Sequence, residues 1–359
     1  MSPHPLRTVI GLMSGTSMDG IDAALLRTDG IDTAEPGAFI TIPYSDGFRA
    51  ELRSCLGGQG PIPDVERALT EAHARAVKAL LADAGLRAAD VDLIGFHGHT
   101  ILHAPEQRRT WQIGDGALLA RLTGIPVVAD FRTADVASGG QGAPLAPLYH
   151  RGLAAGLAKP LAVLNIGGVA NVTWIGADGE LIACDTGPGN ALVDDWMLAR
   201  TGRRYDDRGA FARTGSIDAV ALTALLDHPY FERPAPKSLD RDAFDPAPVA
   251  GLSAEDGAAT LTAFTAFSVE RVLEHLPAPP VRWLVTGGGR HNATLMEMLA
   301  DRLRVPVEPV EAVGWNGDAL EAQAFAYLAV RSRLDLPLSE PGTTGAPRPV
   351  TGGRFNPVA

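Results

Sequence analysis

Two parts of the chain share one hydrophobic pattern, in which two short apolar segments surround a glycine-rich turn. Near the start, residues 8–13 and 21–26 surround the turn SGTSMDG (14–20), and residues 161–176 (LAVLNIGGVANVTWIG) repeat the arrangement. This pattern predicts two β-hairpins. Because the hairpins lie about one domain length apart, we interpret them as the leading elements of two related halves.

Strands and helices alternate in the rest of the pattern. Apolar positions at helical spacing predict helices over 64–84, 117–122, 191–201, 254–275, 293–303 and 318–334. Short apolar runs predict strands at 39–43, 93–96, 127–131, 181–184 and 283–286, with a loop at HGHT (97–100). This alternation is typical of an α/β protein. We expect two domains, 1–133 and 134–359, with a ligand cleft between them and a C-terminal tail that can return to the first.

Composition narrows the class of protein. The 359 residues carry a formal net charge of −11, which disfavours a general binder of nucleic acid or of anionic membranes. Cys55 and Cys184 stand in no metal-ligand spacing and fit a reducing compartment. Because we find neither a secretory signal at the start nor an apolar run of about 18 residues, we expect a cytoplasmic protein without membrane contact.

Four glycine-rich turns each follow an apolar strand, at 15–20, 165–171, 185–190 and 286–292. Successive backbone N–H groups in such turns form anion-binding nests, and glycine lets the backbone approach a ligand closely. Thr16 and Ser17 add hydroxyl donors, and the Asp19 carboxylate suits a hydrated Mg²⁺. Each turn alone could be an ordinary tight hairpin, but four together favour a nucleoside triphosphate. The chain has neither a P-loop nor a dinucleotide-binding pattern.

Eight motifs carry a resemblance to a known family: MSGTSMDGIDAAL, TWQIGDGALLA, GGQGAPLAPLYH, NIGGVANVT, DTGPGNALVDDW, PAPKS, TGGGRHN and GDALEAQAFAYLA. Over most of its length the chain resembles the anhydro-N-acetylmuramic acid kinases, which belong to the superfamily of actin, sugar kinases and heat-shock ATPases. The resemblance implies two ribonuclease-H-like (actin-like ATPase) domains with a central ATP-binding cleft. It also implies a homodimer that uses ATP, Mg²⁺ and water. The implied reaction converts 1,6-anhydro-N-acetylmuramic acid into N-acetylmuramic acid 6-phosphate and ADP during peptidoglycan recycling.

Asp185 is the predicted catalytic base. In the anhydro sugar, O6 is bonded to C1, so water must open this bridge before or while O6 attacks the γ-phosphate. One carboxylate could activate that water. The resemblance gives this role to Asp185, for which a helix-capping aspartate is the alternative. It also suggests Glu321 as a second catalytic residue near the sugar that orients water, against a solvated helix glutamate.

The glycine turns and the resemblance together predict the nucleotide-binding residues. They are Gly11, Ser14, Gly15, Thr16, Ser17, Met18, Asp19, Gly20, Asn165, Gly167, Gly168, Gly287, Gly288, Gly289 and Asn292. The hairpin at 11–20 and the turn at 165–171 would hold phosphates, and the turn at 286–292 would line the adenosine.

The predicted sugar-binding residues are His97, Trp111, Gln112, Arg132, Gly187 and Asn190. The Arg132 guanidinium suits the carboxylate of the lactyl group, with an ordinary surface salt bridge as the alternative. The Trp111 indole suits stacking on a sugar ring, with a place in the core as the alternative.

Several polar residues have weaker interpretations. His97, His99 and His103 resemble a metal cluster, but no cysteine or carboxylate completes the set nearby. The family usually has glutamine where this chain has His99, so we expect a different hydrogen-bonding pattern or pH response there. Lys237 could meet a phosphate or face solvent. The pair at 194–195 suits the positive end of its helix.

Other functions stay open on the residues alone. A non-catalytic sensor of nucleotides or sugars would share the fold, although the acidic charge disfavours an added DNA-binding segment. A hydrolase that opens the bridge without phosphorylation needs two carboxylates, which Asp185 and Glu321 could supply. A levoglucosan-type anhydro-sugar kinase would differ in the pocket for the lactyl group.

Overall fold

Two compact units make up the protein. The computed structural model describes residues 4–15 and 17–358. One unit comprises Met1–Gly156 with Asp318–Ala359, and the other comprises Leu157–Gly317. The boundary between the units thus differs from the predicted one at 133/134.

The buried Asp135 explains why the segment after residue 133 stays in the first unit. Its carboxylate accepts hydrogen bonds from Gly142 N over 2.6 Å and from Thr344 Oγ1 over 2.7 Å, and it also accepts one from Ser339 Oγ. These bonds join the loop after Asp135 to the C-terminal segment within one unit.

The strands and helices of the described residues alternate along the chain. The strands are β1 (Arg7–Ser14), β2 (Gly20–Thr28), β3 (Ala34–Pro43), β4 (Leu93–Ala104), β5 (Arg109–Ile113), β6 (Val127–Ala129), β7 (Leu161–Ile166), β8 (Val169–Ile175), β9 (Leu181–Pro188), β10 (Trp283–Thr286), β11 (Val307–Pro309) and β12 (Arg354–Asn356). The α-helices are α1 (Asp46–Ser54), α2 (Ile62–Ala84), α3 (Gly116–Thr123), α4 (Thr133–Ala137), α5 (Pro147–Leu153), α6 (Ala191–Thr201), α7 (Ala219–Leu226), α8 (Ala254–Arg271), α9 (Ala293–Leu303), α10 (Leu320–Arg333) and α11 (Pro341–Thr344).

The sheet of the first unit has the order β12-β6-β4-β1-β2-β3, and β5 pairs with β4. Leu12 on β1 faces a core shared with α2 and α3. Gly11 points to the opposite face, where α10 lies. A Cβ on Gly11 would lie 1.7 Å from the Ala322 carbonyl oxygen, and a Cβ on its neighbour Gly95 would lie 2.0 Å from the Phe325 carbonyl oxygen. These two glycines let α10 pack directly on the sheet.

The sheet of the second unit repeats this topology. Its order is β11-β10-β7-β8-β9, which matches β6-β4-β1-β2-β3 strand for strand. β7 is antiparallel to β8 and parallel to β10, as β1 is antiparallel to β2 and parallel to β4. The predicted α/β class is confirmed, and the interpretation of two related halves agrees with this shared order.

Two strands extend further than the apolar pattern predicted, and both extensions carry site residues. The predicted loop at HGHT is wrong, because these residues belong to β4 and pair with β5 from His99 onward. The predicted end of the strand at residue 184 is also wrong, because β9 pairs with β8 as far as Pro188. A partner strand thus extends β-structure into polar and glycine-rich sequence.

The interior of each unit is apolar. In the second unit, Tyr230, Phe231, Phe244 and Phe264 form an aromatic cluster between helices. Both cysteines are buried free thiols. Among the described residues, we find no helix whose length and hydropathy would suit a membrane span.

Candidate active site

The first glycine turn connects β1 to β2. Met18 N donates to Gly15 O over 3.0 Å, and Met18 has a left-handed backbone with φ 55°. The exposed Ser17 donates from Oγ to Asp19 Oδ1 over 2.9 Å, and Tyr44 N donates to Asp19 O over 2.9 Å. These bonds anchor the backbone at Met18 and Asp19, and Asp19 presents an accessible carboxylate.

Ser14 lies at the end of β1, and its hydroxyl is engaged within the protein. Tyr44 OH donates to Ser14 Oγ over 2.9 Å, and Ser14 Oγ lies 3.0 Å from His99 Nδ1. All three side chains are buried, and burial lowers the pKa of His99. His99, the departure from the family motif, therefore supports the strand that leads into the turn.

The predicted nucleotide-binding glycines of this hairpin differ in their surroundings. Gly11 is accounted for by the packing of α10, and a Cβ on Gly20 would lie 2.5 Å from the Ile42 carbonyl oxygen. A Cβ on Gly15 would have ordinary space, so this position faces an open side of the turn. Thr16 lies outside the described residues.

Asp22 lies near Asp19 and Asp318 in the first unit, and these three residues form an acidic group. Sequence reasoning did not single out Asp22. Its Oδ1 accepts from Thr41 Oγ1 over 2.6 Å. The pKa of Asp22 is raised to about 6, mainly by burial and in smaller part by the nearby carboxylates of Asp19 and Asp318, while the bond from Thr41 opposes the rise. The signal in the sequence was weak, because the pairing of Asp22 with Thr41 follows from the register of β2 and β3.

Glu321 lies in the first turn of α10, and its side chain reaches solvent. The surrounding protein displaces enough water to raise the pKa of its carboxyl. The Arg132 guanidinium opposes this rise, whereas Asp22 and Asp19 add to it. Glu321 therefore shares an electrostatic environment with Arg132 and the acidic group.

Arg132 follows β6 and is held by neutral groups. Its Nε donates to His97 Nε2 over 2.9 Å, and its Nη1 donates to the Gly142 carbonyl oxygen over 2.7 Å. Burial lowers the pKa of Arg132 to about 10, so the guanidinium stays charged near neutral pH. No described carboxylate forms an ion pair with it, so the alternative of an ordinary surface salt bridge is wrong.

Three of the predicted sugar-binding residues line one pocket of the first unit. The pocket has a volume of about 210 Å³, and its lining includes His97, Trp111, Gln112, Thr110 and Asp130. The Trp111 side chain is 39% exposed, so the alternative that it belongs to the core is wrong. Gln112 Nε2 donates to Thr110 Oγ1 over 2.8 Å, which fixes the amide at the pocket wall.

The histidines of β4 have separate hydrogen-bond partners. The described residues contain no group of three or more His, Cys, Asp or Glu side chains that could hold a metal ion. His97 bonds to Arg132 and to the Gly98 carbonyl, His99 bonds to Ser14, and His103 Nδ1 lies 3.0 Å from Thr110 Oγ1. Each of the three histidines therefore has its own hydrogen-bond partners within the protein.

Asp185 lies within β9 of the second unit and is partly exposed. Leu239 N donates to its Oδ2 over 2.7 Å, and no described residue is seen to donate to Oδ1. Burial raises the pKa of Asp185 to about 7, the bond from Leu239 opposes this rise, and Asp240 adds to it. The helix-capping alternative is wrong, because the N-cap of α6 is Asn190.

The PAPKS segment holds Asp185 from one side. Asp185 N donates to Lys237 O over 2.9 Å, and Tyr230 OH donates to Asp185 O over 2.6 Å. Lys237 Nζ donates to the Tyr230 carbonyl oxygen over 3.2 Å and lies 4.6 Å from the centre of the Tyr230 ring. The ammonium group of Lys237 is therefore directed towards Tyr230.

Three glycine turns of the second unit lie together. Asn190 N donates to Gly167 O over 2.8 Å, and Asn190 Nδ2 donates to Ile166 O over 3.2 Å. A Cβ on Gly287, whose φ is +75°, would lie 2.4 Å from Asn165 Oδ1. The turns at 165–168, 187–190 and 287–289 thus require close backbone approach. In contrast, Gly187 is accounted for by packing on α8, where a Cβ would lie 2.5 Å from the Cβ of Ser268.

A larger pocket opens beside these turns within the second unit. It has a volume of about 500 Å³ and includes the predicted residues Asn190, Gly288 and Asn292. It also includes residues that sequence reasoning did not assign to ligand binding, namely Asp194, Tyr205, Asp206, Asp207, Arg208 and His291. Asn292 Oδ1 accepts from Leu295 N over 2.9 Å and caps α9.

The two acidic residues of α6 have different surroundings. Asp194 lines the larger pocket, and burial raises its pKa to about 6, with Asp195 adding to the rise. Asp195 forms an exposed ion pair with Arg241 over 2.8 Å. The favourable position near the positive end of α6 applies to both residues. Of the two, Asp194 faces the larger pocket.

Comparison with known proteins decides the family. The family model described as anhydro-N-acetylmuramic acid kinase matches residues 7–358. The chain belongs to this family. Among relatives, the anhydro-N-acetylmuramic acid kinase of Paramagnetospirillum magneticum is 62% identical over 97% of this chain and 99% of its own length. The anhydro-N-acetylmuramic acid kinase of Rhodospirillum rubrum is 60% identical over 98% of this chain and 94% of its own length.

The fold comparison agrees with this family. The crystal structure of (R)-2-hydroxyglutaryl-CoA dehydratase component A from Acidaminococcus fermentans covers 91% of this chain and 99% of its own, with a TM-score of 0.50 and 12% identity. A likeness at this identity concerns the fold alone. The predicted α/β class with two related sheets is confirmed, and this structure shares the fold. The family to which the chain belongs is a family of kinases. This membership confirms the prediction of an enzyme, an anhydro-N-acetylmuramic acid kinase, over the non-catalytic sensor.

Proposed function

We propose that this protein opens the bridge of 1,6-anhydro-N-acetylmuramic acid with water and phosphorylates O6 with ATP. The products are N-acetylmuramic acid 6-phosphate and ADP, and the reaction serves peptidoglycan recycling. The observation that supports the mechanism most directly is the Asp185 carboxyl, which has one engaged oxygen, partial exposure and a pKa of about 7. A general base with a pKa near the working pH is suited to proton transfer.

Asp185 acts as the base for the attacking water. It takes a proton from water as the water oxygen bonds to C1, and the bond between C1 and O6 breaks. O6 leaves C1 with the bond electrons and attacks the γ-phosphorus, from which ADP departs. The Leu239 amide holds Oδ2 of Asp185, so Oδ1 is the oxygen that receives the proton. The sugar gains the elements of water and one phosphoryl group.

Glu321 is the second proposed catalytic residue. Its raised pKa and its accessibility suit a carboxyl group that orients the sugar or the water. The charge of Arg132 lowers the pKa of Glu321, so a bound sugar carboxylate beside Arg132 would raise it again. A neutral anhydro sugar would not screen the Arg132 charge in this way.

The glycine turns are the proposed nucleotide-binding elements. The accessible turn at Gly15–Asp19 and the turn at 165–168 present backbone amides suited to phosphates, and the pocket beside Gly288 and Asn292 is large enough for a nucleoside. The Asp19 carboxylate, with Oδ1 held by Ser17, fits a hydrated Mg²⁺, which usually binds through one or two carboxylates and the phosphates. Mg²⁺ would neutralise charge on the phosphates.

Arg132 favours a sugar that carries a carboxylate over a levoglucosan-type sugar. Among the described residues, Arg132 donates hydrogen bonds only to neutral groups, while Glu321 and Asp135 act on it through charge without an ion pair. Its guanidinium can therefore still form a charge-assisted hydrogen bond with an anionic ligand. The lactyl carboxylate of the proposed substrate is such an anion. Trp111 and Gln112 then form the adjoining wall for the sugar ring.

We also propose that the protein is a homodimer and acts in the cytoplasm, as the family resemblance implies. Sedimentation equilibrium of the full chain should give twice the mass of one chain. A single-chain mass across the micromolar range would contradict the homodimer.

A coupled ADP-release assay tests the proposed reaction. The full-length protein with ATP should release ADP with 1,6-anhydro-N-acetylmuramic acid and much less with free N-acetylmuramic acid. Mass spectrometry should show a product that has gained both water and phosphate. A product that has gained water alone would indicate the hydrolase, and absence of turnover would contradict the proposed function.

A further inference from the structure

His97 occupies an unusual place, since it is buried directly against a charged arginine. Arg132 Nε donates to His97 Nε2 over 2.9 Å, and the His97 residue is only 4% exposed. His97 Nδ1 lies 2.9 Å from the Gly98 carbonyl oxygen, which only accepts hydrogen bonds. Nδ1 therefore carries the proton and Nε2 accepts from Arg132, so these two contacts select a single neutral tautomer.

Three contacts fix the Arg132 side chain. Besides the bond to His97, Nη1 donates to the Gly142 carbonyl oxygen over 2.7 Å. The Phe325 ring lies beside both groups, 4.5 Å from the His97 ring centre and 5.9 Å from the guanidinium carbon. No described residue is seen to accept from Nη2, so the guanidinium keeps N–H groups for a ligand.

We propose that His97 is a positioning residue, which selects sugars with a carboxylate by holding the Arg132 guanidinium in the orientation that meets this carboxylate. The inference rests on the proposed function. It assigns to His97 an action through Arg132, whereas sequence reasoning placed His97 against the sugar itself.

The chemistry of this position explains the choice of residue. A carboxylate at residue 97 would pair with Arg132 and neutralise the charge that the ligand needs. An apolar side chain would leave Arg132 Nε buried without an acceptor, which is costly. A neutral imidazole satisfies Nε and leaves the positive charge in place. Burial and the Arg132 charge keep the pKa of His97 well below its usual range, so the ring stays neutral.

Two substitutions separate the two contacts of His97. The amide of glutamine places its oxygen near the position of the imidazole Nε2, so His97→Gln keeps an acceptor for Arg132. The amide of asparagine lies near the position of Nδ1, so His97→Asn keeps a donor for the Gly98 carbonyl and loses the acceptor. Each variant therefore loses one of the two contacts, and only His97→Asn loses the bond to Arg132 on which the proposal depends.

The experiment measures kcat/KM for two sugars with each full-length variant. The sugars are 1,6-anhydro-N-acetylmuramic acid and 1,6-anhydro-N-acetylglucosamine, which lacks the lactyl carboxylate. The measured quantity is kcat/KM for 1,6-anhydro-N-acetylmuramic acid divided by kcat/KM for 1,6-anhydro-N-acetylglucosamine. This ratio does not depend on how much of a variant is folded. Loss of a hydrogen bond to a charged group predicts a ratio about tenfold lower for His97→Asn, mainly through KM. His97→Gln should keep a ratio close to that of the wild type.

A double substitution completes the test. In an Arg132→Met background, which has no guanidinium to position, His97→Asn should leave the ratio unchanged. Equal ratios in the wild type and His97→Asn, or equal losses in the Gln and Asn variants, would overturn the proposal. A wild-type enzyme that uses both sugars equally well would also overturn it, while the proposed kinase activity would stand. No ADP release with either sugar would contradict both.

Discussion

At the scale of the residue, the site consists of ionisable groups in unusual surroundings. Asp185 and Asp22 have raised pKa values because water is partly excluded, and the described hydrogen-bond acceptors of Arg132 are neutral. Perturbed groups of this kind concentrate at functional sites. The family resemblance supplied Asp185, Glu321 and Arg132. Asp22 was missed, because its surroundings depend on the register of two strands and on the start of α10.

Activity should depend on pH through Asp185. The base works only when it is ionised, and the pKa of Asp185 lies at about 7. We therefore expect kcat/KM for the anhydro sugar to rise with pH through about 7 and then to level. Initial rates across about pH 5.5–8.5, with ATP saturating, measure this profile. A flat profile over that range would argue against Asp185 as the base.

Residue 99 allows a second prediction at this scale. The amide of asparagine lies near the position of Nδ1, the atom of His99 that meets Ser14 Oγ, so His99→Asn should retain stability and ADP release. His99→Leu should lower the free energy of unfolding by about 1–3 kcal/mol, because a polar partner of the buried Ser14 is lost. Thermal denaturation of the two variants, measured side by side, checks the difference. Equal stability of both variants with the wild type would show that the bond to Ser14 contributes little.

At the scale of the element, hydrogen-bond partners decide where strands end. The apolar pattern located β4 and β9, but both continue into polar residues because β5 and β8 pair with them. The extended part of β4 contains His97 and His99, and that of β9 contains Asp185. Sequence periodicity carries little information on such extensions, since the partner strand is separate in sequence. The packing of α10 on Gly11 and Gly95 could not be predicted from the sequence either. A glycine that permits close helix packing and a glycine in a turn look the same in sequence.

The close approach of α10 to β1 predicts the effect of a methyl group. Gly11→Ala would place a Cβ 1.7 Å from the Ala322 carbonyl oxygen, so α10 must move. We expect a loss of about 2 kcal/mol or more in the free energy of unfolding, together with reduced activity because Glu321 lies on α10.

Gly47→Ala provides the matched control. This helical glycine has no neighbouring atom within 4 Å of an added Cβ, so the substitution should be neutral or slightly stabilising. Chemical denaturation of the two variants compares them directly. A Gly11→Ala protein as stable as the control would contradict the packing of α10 in this account.

At the scale of the whole molecule, the same sheet order occurs twice. The two hairpins in the hydrophobic pattern were enough to predict two related halves, since each starts its own sheet. The extent of each unit was harder to predict. The sequence pattern predicted a boundary at 133/134. In the structure, Asp135 joins the following loop to the segment at 339–344 within the first unit. These contacts join residues distant in sequence, which a local pattern does not reveal.

The role of Asp135 gives a prediction for the first unit. Asp135→Ala would leave Gly142 N, Thr344 Oγ1 and Ser339 Oγ without their buried acceptor. The expected result is a loss of about 3 kcal/mol in stability and faster proteolysis near residues 339–344. Asp178→Ala, at an exposed turn of the second unit, should change stability by less than about 0.5 kcal/mol. Equal proteolysis of the two variants would contradict this role of Asp135.

The most direct test of the central claim is the turnover of Asp185→Asn with 1,6-anhydro-N-acetylmuramic acid and ATP. Asparagine keeps the shape of the side chain but does not take a proton from water, so ADP release should fall by about a thousandfold or more. Calorimetric binding of a non-hydrolysable ATP analogue to the same variant should match the wild type. Turnover near the wild-type rate, with the analogue still bound, would show that another group activates the water.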